Sequence, residues 1–270
     1  MIGDMLRRTY RRLFAHERWY RLNLFVHELS LHGLGILNYE DDAVSGELHF
    51  IKRALAGGGS EKREQVVLDV GANEGNYSTR VKQISANARV FAFEPHPVTY
   101  KRTAAAASKH DFVAINAGCG ETNGKSLLYD YDGEKGGSQH ASLFRNVIEG
   151  IHRSSAVAHE IEVTTIDSFL EQRGIPVVRL LKIDTEGNEA GVLRGAKESL
   201  GAGKIELVQF EFNEMHVASR TFFKDFVELL AGYRLYRILP DGCVPLRYRA
   251  VTCEIFAYQN ILAVRNDILW

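Results

Sequence analysis

Ionisable side chains cluster at the end of one apolar stretch, residues 178–184, where they could perform acid–base chemistry. Lys182, Asp184 and Glu186 stand at alternate positions there. Alternate side chains of a regular strand point to the same face of a sheet. Because charged groups are costly on a buried strand unless they are paired or used, we expect a functional cluster. A structural ion pair between Lys182 and an acid is the alternative.

A second apolar stretch, residues 204–212, adds Glu211, and His216 follows it. The carboxyl ends of parallel strands meet at one edge of a sheet, so these groups should converge with the first cluster. A base within hydrogen-bond reach of a hydroxyl activates it, and histidine titrates closest to neutral pH. The candidate bases are Asp184, Glu186, Glu211, His216 and, from a loop, His140.

Two other roles remain open for the cluster. Lys182 could stabilise a developing alkoxide instead of pairing with Asp184. The acids Asp184, Glu186 and Glu211 could hold Mg²⁺, which prefers oxygen ligands and could bind the oxygens of an acceptor. The sequence leaves metal-assisted and metal-free chemistry both open.

The segment 66–78 predicts a small-molecule site. An apolar strand ends at a glycine-bearing loop that opens a helix, and such a turn presents backbone N–H groups to a ligand. Asn73 occupies the place of the middle glycine in a dinucleotide fingerprint, and Asp69 would repel a pyrophosphate. A ligand with an ammonium and a sulfonium, such as S-adenosylmethionine, fits better. The alternative is that Gly71 and Gly75 only relieve backbone strain.

The next predicted strand, residues 89–93, ends at Glu94 and Pro95. An acid at this place can accept hydrogen bonds from both ribose hydroxyls of a nucleotide cofactor. Glu94 therefore supports a nucleoside ligand, while Asp69 and Asn73 discriminate between the cofactors.

Composition limits the class of protein. The 270 residues are 45% hydrophobic and 25% charged, which is typical of a sizeable globular domain with an appendage. The net charge of −1 provides no global field for nucleic acid. The three cysteines form no C-x-x-C pair, and no apolar run reaches the ~18 residues that cross a bilayer. We expect a soluble, cytoplasmic protein without a nucleic-acid partner.

Residues 1–58 predict a helical extension. Apolar residues recur at helical spacing among six arginines, as far as a break near Gly33 and Gly35. This helix either caps the catalytic domain or lies against a membrane or an acidic partner. A second helix is expected over 46–55, and the glycines of 57–59 mark a boundary. Homo-oligomerisation stays open.

Residues 59–270 alternate apolar runs with helical patterns, which predicts a doubly wound, mostly parallel α/β sheet. Strands are expected at 66–70, 89–93, 112–116, 178–184 and 204–212, and helices near 76–85, 97–109, 188–200 and 221–231. Residues 119–165 predict an inserted hairpin and a substrate-side loop that could act as a lid. Two final strands, at 233–238 and 255–264, would pair antiparallel at the sheet edge and complete a seven-stranded sheet.

The chain resembles the FkbM-type methyltransferases. The resemblance rests on DVGANEGNYS at 69–78, FAFEPHP at 91–97, INAG at 115–118, TIDSFL at 165–170 and LLKIDTEGNEAGVLRGA at 180–196. It implies a class I methyltransferase fold of Rossmann-like type, S-adenosylmethionine as the methyl donor, and O-methylation of a sugar, glycan or natural-product hydroxyl.

The resemblance also implies roles for individual residues. The loop after the first strand would surround the methionine portion, Glu94 would bind the ribose, and Asn116 with Ala117 would lie on the adenine side. Asp184 would lie near the methionine amine or the acceptor. The implied cofactor-binding residues are Asp69, Gly71, Ala72, Asn73, Gly75, Asn76, Tyr77, Glu94, Pro95, Asn116, Ala117 and Asp184. Cys119 departs from the apolar residue that is commoner in the family.

Two other functions are compatible with the sequence. A nicotinamide-dependent oxidoreductase would use the same kind of fold, although Asp69 and Asn73 disfavour it. A non-catalytic binding module would recruit partners through the basic N-terminal helix, although the intact acidic cluster disfavours that.

Overall fold

The computed structural model describes residues 2–56, 64–132 and 140–270. Its strands are β1 (Val66–Val70), β2 (Arg89–Phe93), β3 (Val113–Ile115), β4 (Gly118–Cys119), β5 (Gly124–Tyr131), β6 (Ala156–Thr164), β7 (Val178–Ile183), β8 (Ile205–Phe212), β9 (Tyr233–Leu239), β10 (Gly242–Pro245) and β11 (Gln259–Arg265).

The helices alternate with these strands. They are α1 (Ile2–Phe14), α2 (Tyr20–Gly33), α3 (Glu47–Ala56), α4 (Asn76–Ile84), α5 (Thr99–His110), α6 (Ile166–Gln172), α7 (Glu189–Arg194), α8 (Lys197–Gly201), α9 (Met215–Ser219), α10 (Phe223–Leu229) and α11 (Ala250–Cys253). A 3₁₀ turn, Glu17–Trp19, and a π-helical turn, Val147–Ile151, complete the regular structure.

The main sheet has the strand order β3-β2-β1-β7-β8-β11-β9-β10. Strands β3, β2, β1, β7 and β8 are mutually parallel, whereas β11 runs antiparallel to both of its neighbours. The predicted doubly wound, mostly parallel sheet is therefore confirmed. The seven-strand count was wrong, because the chain turns back after Leu239 and pairs β10 against β9 as an additional edge strand.

Helices cover both faces of the sheet because its central strands are apolar on both sides. Leu68 belongs to one core cluster, which includes Phe169 of α6, while Val67 belongs to the other, which includes Phe50 of α3. Helix α3 comes from the N-terminal extension, so that extension contributes to the core. The two layers leave the carboxyl ends of the parallel strands open to a ligand.

Several predicted boundaries differ from the structure. The helix expected at 188–200 is divided into α7 and α8. Gly195, which lies at the division, approaches the backbone of Gly120 so closely that a Cβ there would lie 2.0 Å from its carbonyl oxygen. The predicted break near Gly33 is confirmed, but a second break at the Glu17–Trp19 turn separates α1 from α2. The glycine-rich boundary at 57–59 lies outside the described residues.

The segment expected to form an insertion carries a second, three-stranded sheet with the order β4-β6-β5. Strands β5 and β6 pair antiparallel along their length. Three glycines of the predicted lid, at 133, 136 and 137, lie outside the described residues. None of the described helices is both long and apolar enough to span a membrane.

Candidate active site

A cavity of about 470 Å³ lies at the carboxyl ends of β1, β2, β7 and β8. Three other segments complete its wall. Leu37 and Tyr39 come from the N-terminal extension, Leu128 and Ile161 from the β5–β6 hairpin, and Tyr258 from the loop before β11. The cavity therefore joins parts of the chain that are far apart in sequence.

The lining of this cavity is acidic. It contains five carboxylates and, among the described residues, no lysine or arginine. The carboxylates belong to Glu94, Asp184, Glu186, Glu211 and Glu214. Such a lining favours a cationic ligand and opposes a pyrophosphate.

The loop after β1 fits closely against the end of β7. Gly71 has a φ of +81°, and a Cβ at this position would lie 1.7 Å from the carbonyl oxygen of Asp184. Gly75 caps α4 with a φ of +82°. Only glycine adopts both the conformation and the close approach without strain. Gly71 and Asn73 thereby line the cavity.

Glu94 is held in the cavity wall by two backbone hydrogen bonds. Its two carboxylate oxygens accept hydrogen bonds from the backbone N–H groups of Asn73 at 2.9 Å and His96 at 2.7 Å. Burial raises its pKa to about 7, although these two hydrogen bonds oppose the shift. Glu94 therefore ties the ends of β1 and β2 together and retains lone pairs that can accept ligand hydroxyls.

Asn116 and Ala117, expected on the adenine side, are not among the residues that line the cavity. The Asn116 amide instead donates to the backbone carbonyls of Glu94, at 2.9 Å, and Pro95, at 3.2 Å. The neighbouring Gly118 and Cys119 occupy the wall. Asn116 thus shapes the turn that carries Glu94.

Asp69 and Lys182 are buried neighbours on the paired strands β1 and β7. Lys182 Nζ donates to Asp184 Oδ2 at 3.1 Å and lies 3.6 Å from Asp69 Oδ1. Asp69 is fully buried and accepts a hydrogen bond from the Ser78 hydroxyl at 2.6 Å. Although burial opposes it, the surrounding acids raise the pKa of Lys182 above its ordinary value. Lys182 therefore remains charged. It forms the ion pair with an acid that the sequence offered as the alternative to a catalytic role.

A second cavity, of about 290 Å³, adjoins the first through Gly71, Asn73 and Asp184. Ala72, Asn76 and Tyr77 line it together with Lys182 and with Glu47 of α3. Eight of the twelve predicted cofactor residues therefore line one or both of these adjoining spaces, whereas Asp69, Gly75, Asn116 and Ala117 line neither. Asp184 faces both.

His140 and Glu186 form a hydrogen-bonded pair at the wall of the main cavity. The distance from His140 Nδ1 to Glu186 Oε1 is 3.1 Å. This hydrogen bond raises the pKa of His140, and burial raises the pKa of Glu186 to about 7. Glu186 has a φ of +53°, and its carbonyl oxygen accepts from the Ser142 hydroxyl. The turn after β7 thereby directs Glu186 towards the hairpin segment rather than along the strand.

Glu211 reaches the same cavity, as the sequence predicted for its position at the end of β8. Burial raises its pKa well above the usual range, and Asp184, Glu47 and Glu186 add to the effect. The crowded carboxylates therefore compete for protons at neutral pH.

His216, in contrast, is not among the residues that line the cavity. It is fully buried, and its Nε2 lies 3.0 Å from Oε2 of the equally buried Glu189. Glu189 Oε1 accepts from the Thr185 N–H at 2.7 Å, and Oε2 accepts from the Gly187 N–H at 3.0 Å. The pair supports the turn that carries Asp184 and Glu186.

No group of three histidine, cysteine or acidic side chains is arranged to hold a metal ion in the ranges 2–56, 64–132 and 140–270. The Mg²⁺ alternative at Asp184, Glu186 and Glu211 therefore has no structural support.

Several site residues could not be identified from the sequence. His152 lies beside His140, with the two rings tilted and their centroids 5.2 Å apart, and no local sequence pattern marks it. Gln209 donates to Glu47 at 2.5 Å and accepts from the Tyr77 hydroxyl at 2.6 Å. The sequence signal for Gln209 was a polar side chain within an otherwise apolar strand, which indicates a buried hydrogen-bonding role but not its partners.

A methyltransferase FkbM domain matches residues 69–236, which is more than half of the chain. The chain belongs to the FkbM methyltransferase family. The resemblance drawn from the motifs is confirmed, and with it the prediction of a methyltransferase. The family domain omits the first 68 residues, so Tyr39 and Glu47 reach the site from outside it.

Two relatives have names that describe their methyl transfer. The 2-O-methyltransferase NoeI of Sinorhizobium fredii is 22% identical over 190 residues, which cover 67% of this chain and 77% of that protein. The hexuronic acid methyltransferase AglP of Haloferax volcanii is 27% identical over 177 residues, which cover 64% of each protein. A fungal relative, Methyltransferase 1 of Beauveria bassiana, is 28% identical, with 58% of its length covered.

Solved structures of methyltransferases align with this chain. The N-terminal domain of human METTL16 in complex with SAH has a TM-score of 0.44 and 8% identity, and covers 82% of this chain and 69% of that one. A precorrin-6y C5,15-methyltransferase from Geobacter metallireducens has a TM-score of 0.42 and 12% identity, and covers 81% of this chain and 87% of that one.

Proposed function

We propose that the protein is an S-adenosylmethionine-dependent O-methyltransferase that modifies a sugar hydroxyl. The observation that carries the proposal is the acidic cavity, which has five carboxylates and, within the described chain, no lining lysine or arginine. S-adenosylmethionine bears a sulfonium and an ammonium, and both gain from such a field. A dinucleotide bears two phosphates and would be repelled.

The residues present fit this cofactor. Glu94 offers lone pairs to the ribose hydroxyls, and its position is fixed by two backbone N–H groups. The Gly71 loop and Asp184 border both cavities, so the methionine portion can extend from the main cavity towards the second. Gly118 and Cys119 border the side on which the adenine would lie. When bound, the cofactor supplies an electrophilic methyl group.

The His140–Glu186 pair is the proposed base. Both residues line the main cavity, and Glu186 accepts a hydrogen bond from His140 Nδ1, so an imidazole that takes the proton of a hydroxyl lies beside a carboxylate. The carboxylate stabilises the imidazolium that forms, as in other acid–histidine pairs. Base assistance of this kind contributes roughly a hundred- to ten-thousandfold. Lys182 donates a hydrogen bond to Asp184 and, because the surrounding acids raise its pKa, takes no proton itself.

A sugar acceptor suits the remaining wall. Tyr39 and Tyr258 line the cavity with ring centroids 5.9 Å apart, and each offers an apolar face and a polar tip. The names of NoeI and AglP indicate transfer to a 2-hydroxyl and to a hexuronic acid. Because the acidic lining disfavours an anionic acceptor, the acceptor class is taken as a neutral hexose within a glycan or glycolipid.

The test is transfer of labelled methyl from S-adenosylmethionine to a panel of hexose- and hexuronate-containing glycans, with the product located by NMR. The proposal expects an O-methyl ether on a ring hydroxyl, and loss of the product with His140→Asn. Each reaction is run with Mg²⁺ and with a chelator. A methylated nitrogen, carbon or carboxylate, or equal product with His140→Asn, would contradict the proposal.

A further inference from the structure

The N-terminal helices α1 and α2 carry an exposed surface that the catalytic site does not use. On α1, the apolar side chains of Leu6 and Leu13 are 61% and 55% exposed. On α2, a second stripe is also exposed, and Phe25 within it is 56% exposed. This stripe consists of Leu22, Phe25, Val26 and Leu29. Isolated apolar residues are normal on a surface, but contiguous stripes on two successive helices mark an interaction site.

The charges of α1 are segregated from its apolar residues. At 100° per residue, Met5, Leu6, Tyr10 and Leu13 fall on one side of α1, and Arg7, Arg8 and Arg11 fall on the opposite side. Arg12 lies at the boundary, where its stem can cover apolar surface while its charge reaches outward. This is the pattern of a helix that lies in the plane of a membrane interface.

The positive charge of residues 1–33 favours an anionic bilayer, rather than a second copy of the protein, as the binding partner of this surface. Residues 1–33 contain six arginines, no lysine and three acidic residues, whereas the whole chain has a net charge of −1. A second copy would bring a like-charged surface against this one. A bilayer with anionic headgroups offers opposite charge and an apolar phase together.

The two helices form a connected unit that leads directly to the active site. The Tyr10 hydroxyl donates to Asn23 Oδ1 at 2.6 Å, and the Asn23 amide donates to the Phe14 carbonyl at 2.9 Å. Shortly after α2 ends, Ile36 is fully buried, and Leu37 lines the main cavity. The surface is thus held close to one wall of the cavity.

We propose that the surface formed by α1 and α2 binds anionic lipid bilayers, with the exposed leucines and aromatic residues entering the interface and the arginines contacting acidic headgroups. Binding at this surface does not depend on the identity of the methyl acceptor, because none of its exposed apolar residues on α1 or α2 lines the main cavity.

The test is co-sedimentation of the full-length protein with phosphatidylcholine vesicles that contain or lack phosphatidylglycerol, at low and high salt. We expect binding only with phosphatidylglycerol, weakened by salt. Leu6→Glu/Leu13→Glu and Arg8→Gln/Arg11→Gln should each reduce partitioning about tenfold or more. Val251→Glu and Lys101→Gln/Lys109→Gln are matched controls on other exposed surfaces and should bind as wild type.

Circular dichroism and binding of S-adenosylhomocysteine establish that each variant is folded. Analytical ultracentrifugation of the same proteins without vesicles measures self-association. Vesicle binding that is unchanged in both double variants, or absent from the wild type, would overturn the proposal. A wild-type dimer that dissociates in the Leu6→Glu/Leu13→Glu variant would also overturn the proposal, because the surface would then be occupied by a second copy of the protein.

Discussion

At the scale of residues, the chemistry of the site depends on the partner of each acidic side chain rather than on the number of acids. Asp184 is paired with Lys182, Glu94 with two backbone N–H groups, and Glu186 with His140. Only the last pairing places a titratable ring nitrogen at the cavity wall. The alternation of acids along the sequence predicted their convergence, but Glu186 reaches its place through a positive φ that alternation does not encode.

The His140–Glu186 hydrogen bond predicts a pH effect. Because the hydrogen bond to Glu186 raises the pKa of His140, the base form of His140 appears only as the pH rises through this raised value. Replacing Glu186 by glutamine removes the negative charge and lowers the pKa of His140. We expect the acidic limb of the kcat/KM profile to move to lower pH in Glu186→Gln, with a reduced plateau.

Glu214→Gln is the control for this shift, because Glu214 also lines the cavity but forms no hydrogen bond with His140 among those the structure describes. The acidic limb of the kcat/KM profile of Glu214→Gln should lie at the same pH as that of the wild type. An acidic limb that Glu186→Gln leaves in place would show that His140 is not the base.

At the scale of elements, the turn between β7 and α7 is the critical connection. Glu189, at the start of α7, accepts from the backbone of Thr185 and Gly187 and contacts His216. The sequence predicted a strand followed by a turn and a helix here, and the structure confirms that order. It did not predict that His216 serves this turn, because its partner Glu189 lies on another element and only tertiary packing brings the two together.

Glu189→Gln should destabilise the fold. The change removes the charge opposite His216 and places an amide where two backbone N–H groups need an acceptor, so we expect a loss of about 3–5 kcal/mol in the free energy of unfolding. Urea denaturation measures it. Glu198→Gln, on the exposed side of α8, is the matched control and should change stability by less than about 0.5 kcal/mol.

The pH dependence of the same contribution has a definite sign. Burial alone would raise the pKa of Glu189, but His216 and the backbone N–H groups outweigh it, so the net shift is below 4.5. The contribution of Glu189 is therefore complete at neutral pH and is lost as the pH falls from 4.5 through the lower value in the folded protein. Equal stability of Glu189→Gln and wild type at pH 7 would contradict the role given to this turn.

At the scale of the whole molecule, three distant segments close one acidic cavity. The motif-bearing core between residues 66 and 212 could be predicted, because parallel strands must meet at their carboxyl ends. The contributions of Tyr39, Glu47 and Tyr258 could not, because they depend on how the N-terminal extension and the last strands pack around that core. The eighth strand escaped prediction for the same reason, since a short edge strand has little apolar pattern of its own.

The proposed function requires that the acidic cavity bind a cationic cofactor and that Glu94 contact it. Calorimetric titration with S-adenosylhomocysteine, S-adenosylmethionine and NAD tests this directly, on the wild type, on Glu94→Gln and on Glu74→Gln. Glu74 is the matched control, since it follows Asn73 in the same loop but pairs with Arg102 on the surface. Thermal unfolding of each unliganded variant distinguishes a lost ligand contact from a lost fold.

We predict that both sulfur nucleosides bind, that Glu94→Gln weakens them about tenfold or more, and that Glu74→Gln and wild type bind alike. The preference for S-adenosylmethionine over S-adenosylhomocysteine should increase from pH 6 to pH 8, because Glu94 and Glu186, each with a pKa of about 7, then become ionised. Binding of NAD without binding of either sulfur nucleoside would contradict the account, as would affinities for both nucleosides that Glu94→Gln leaves unchanged.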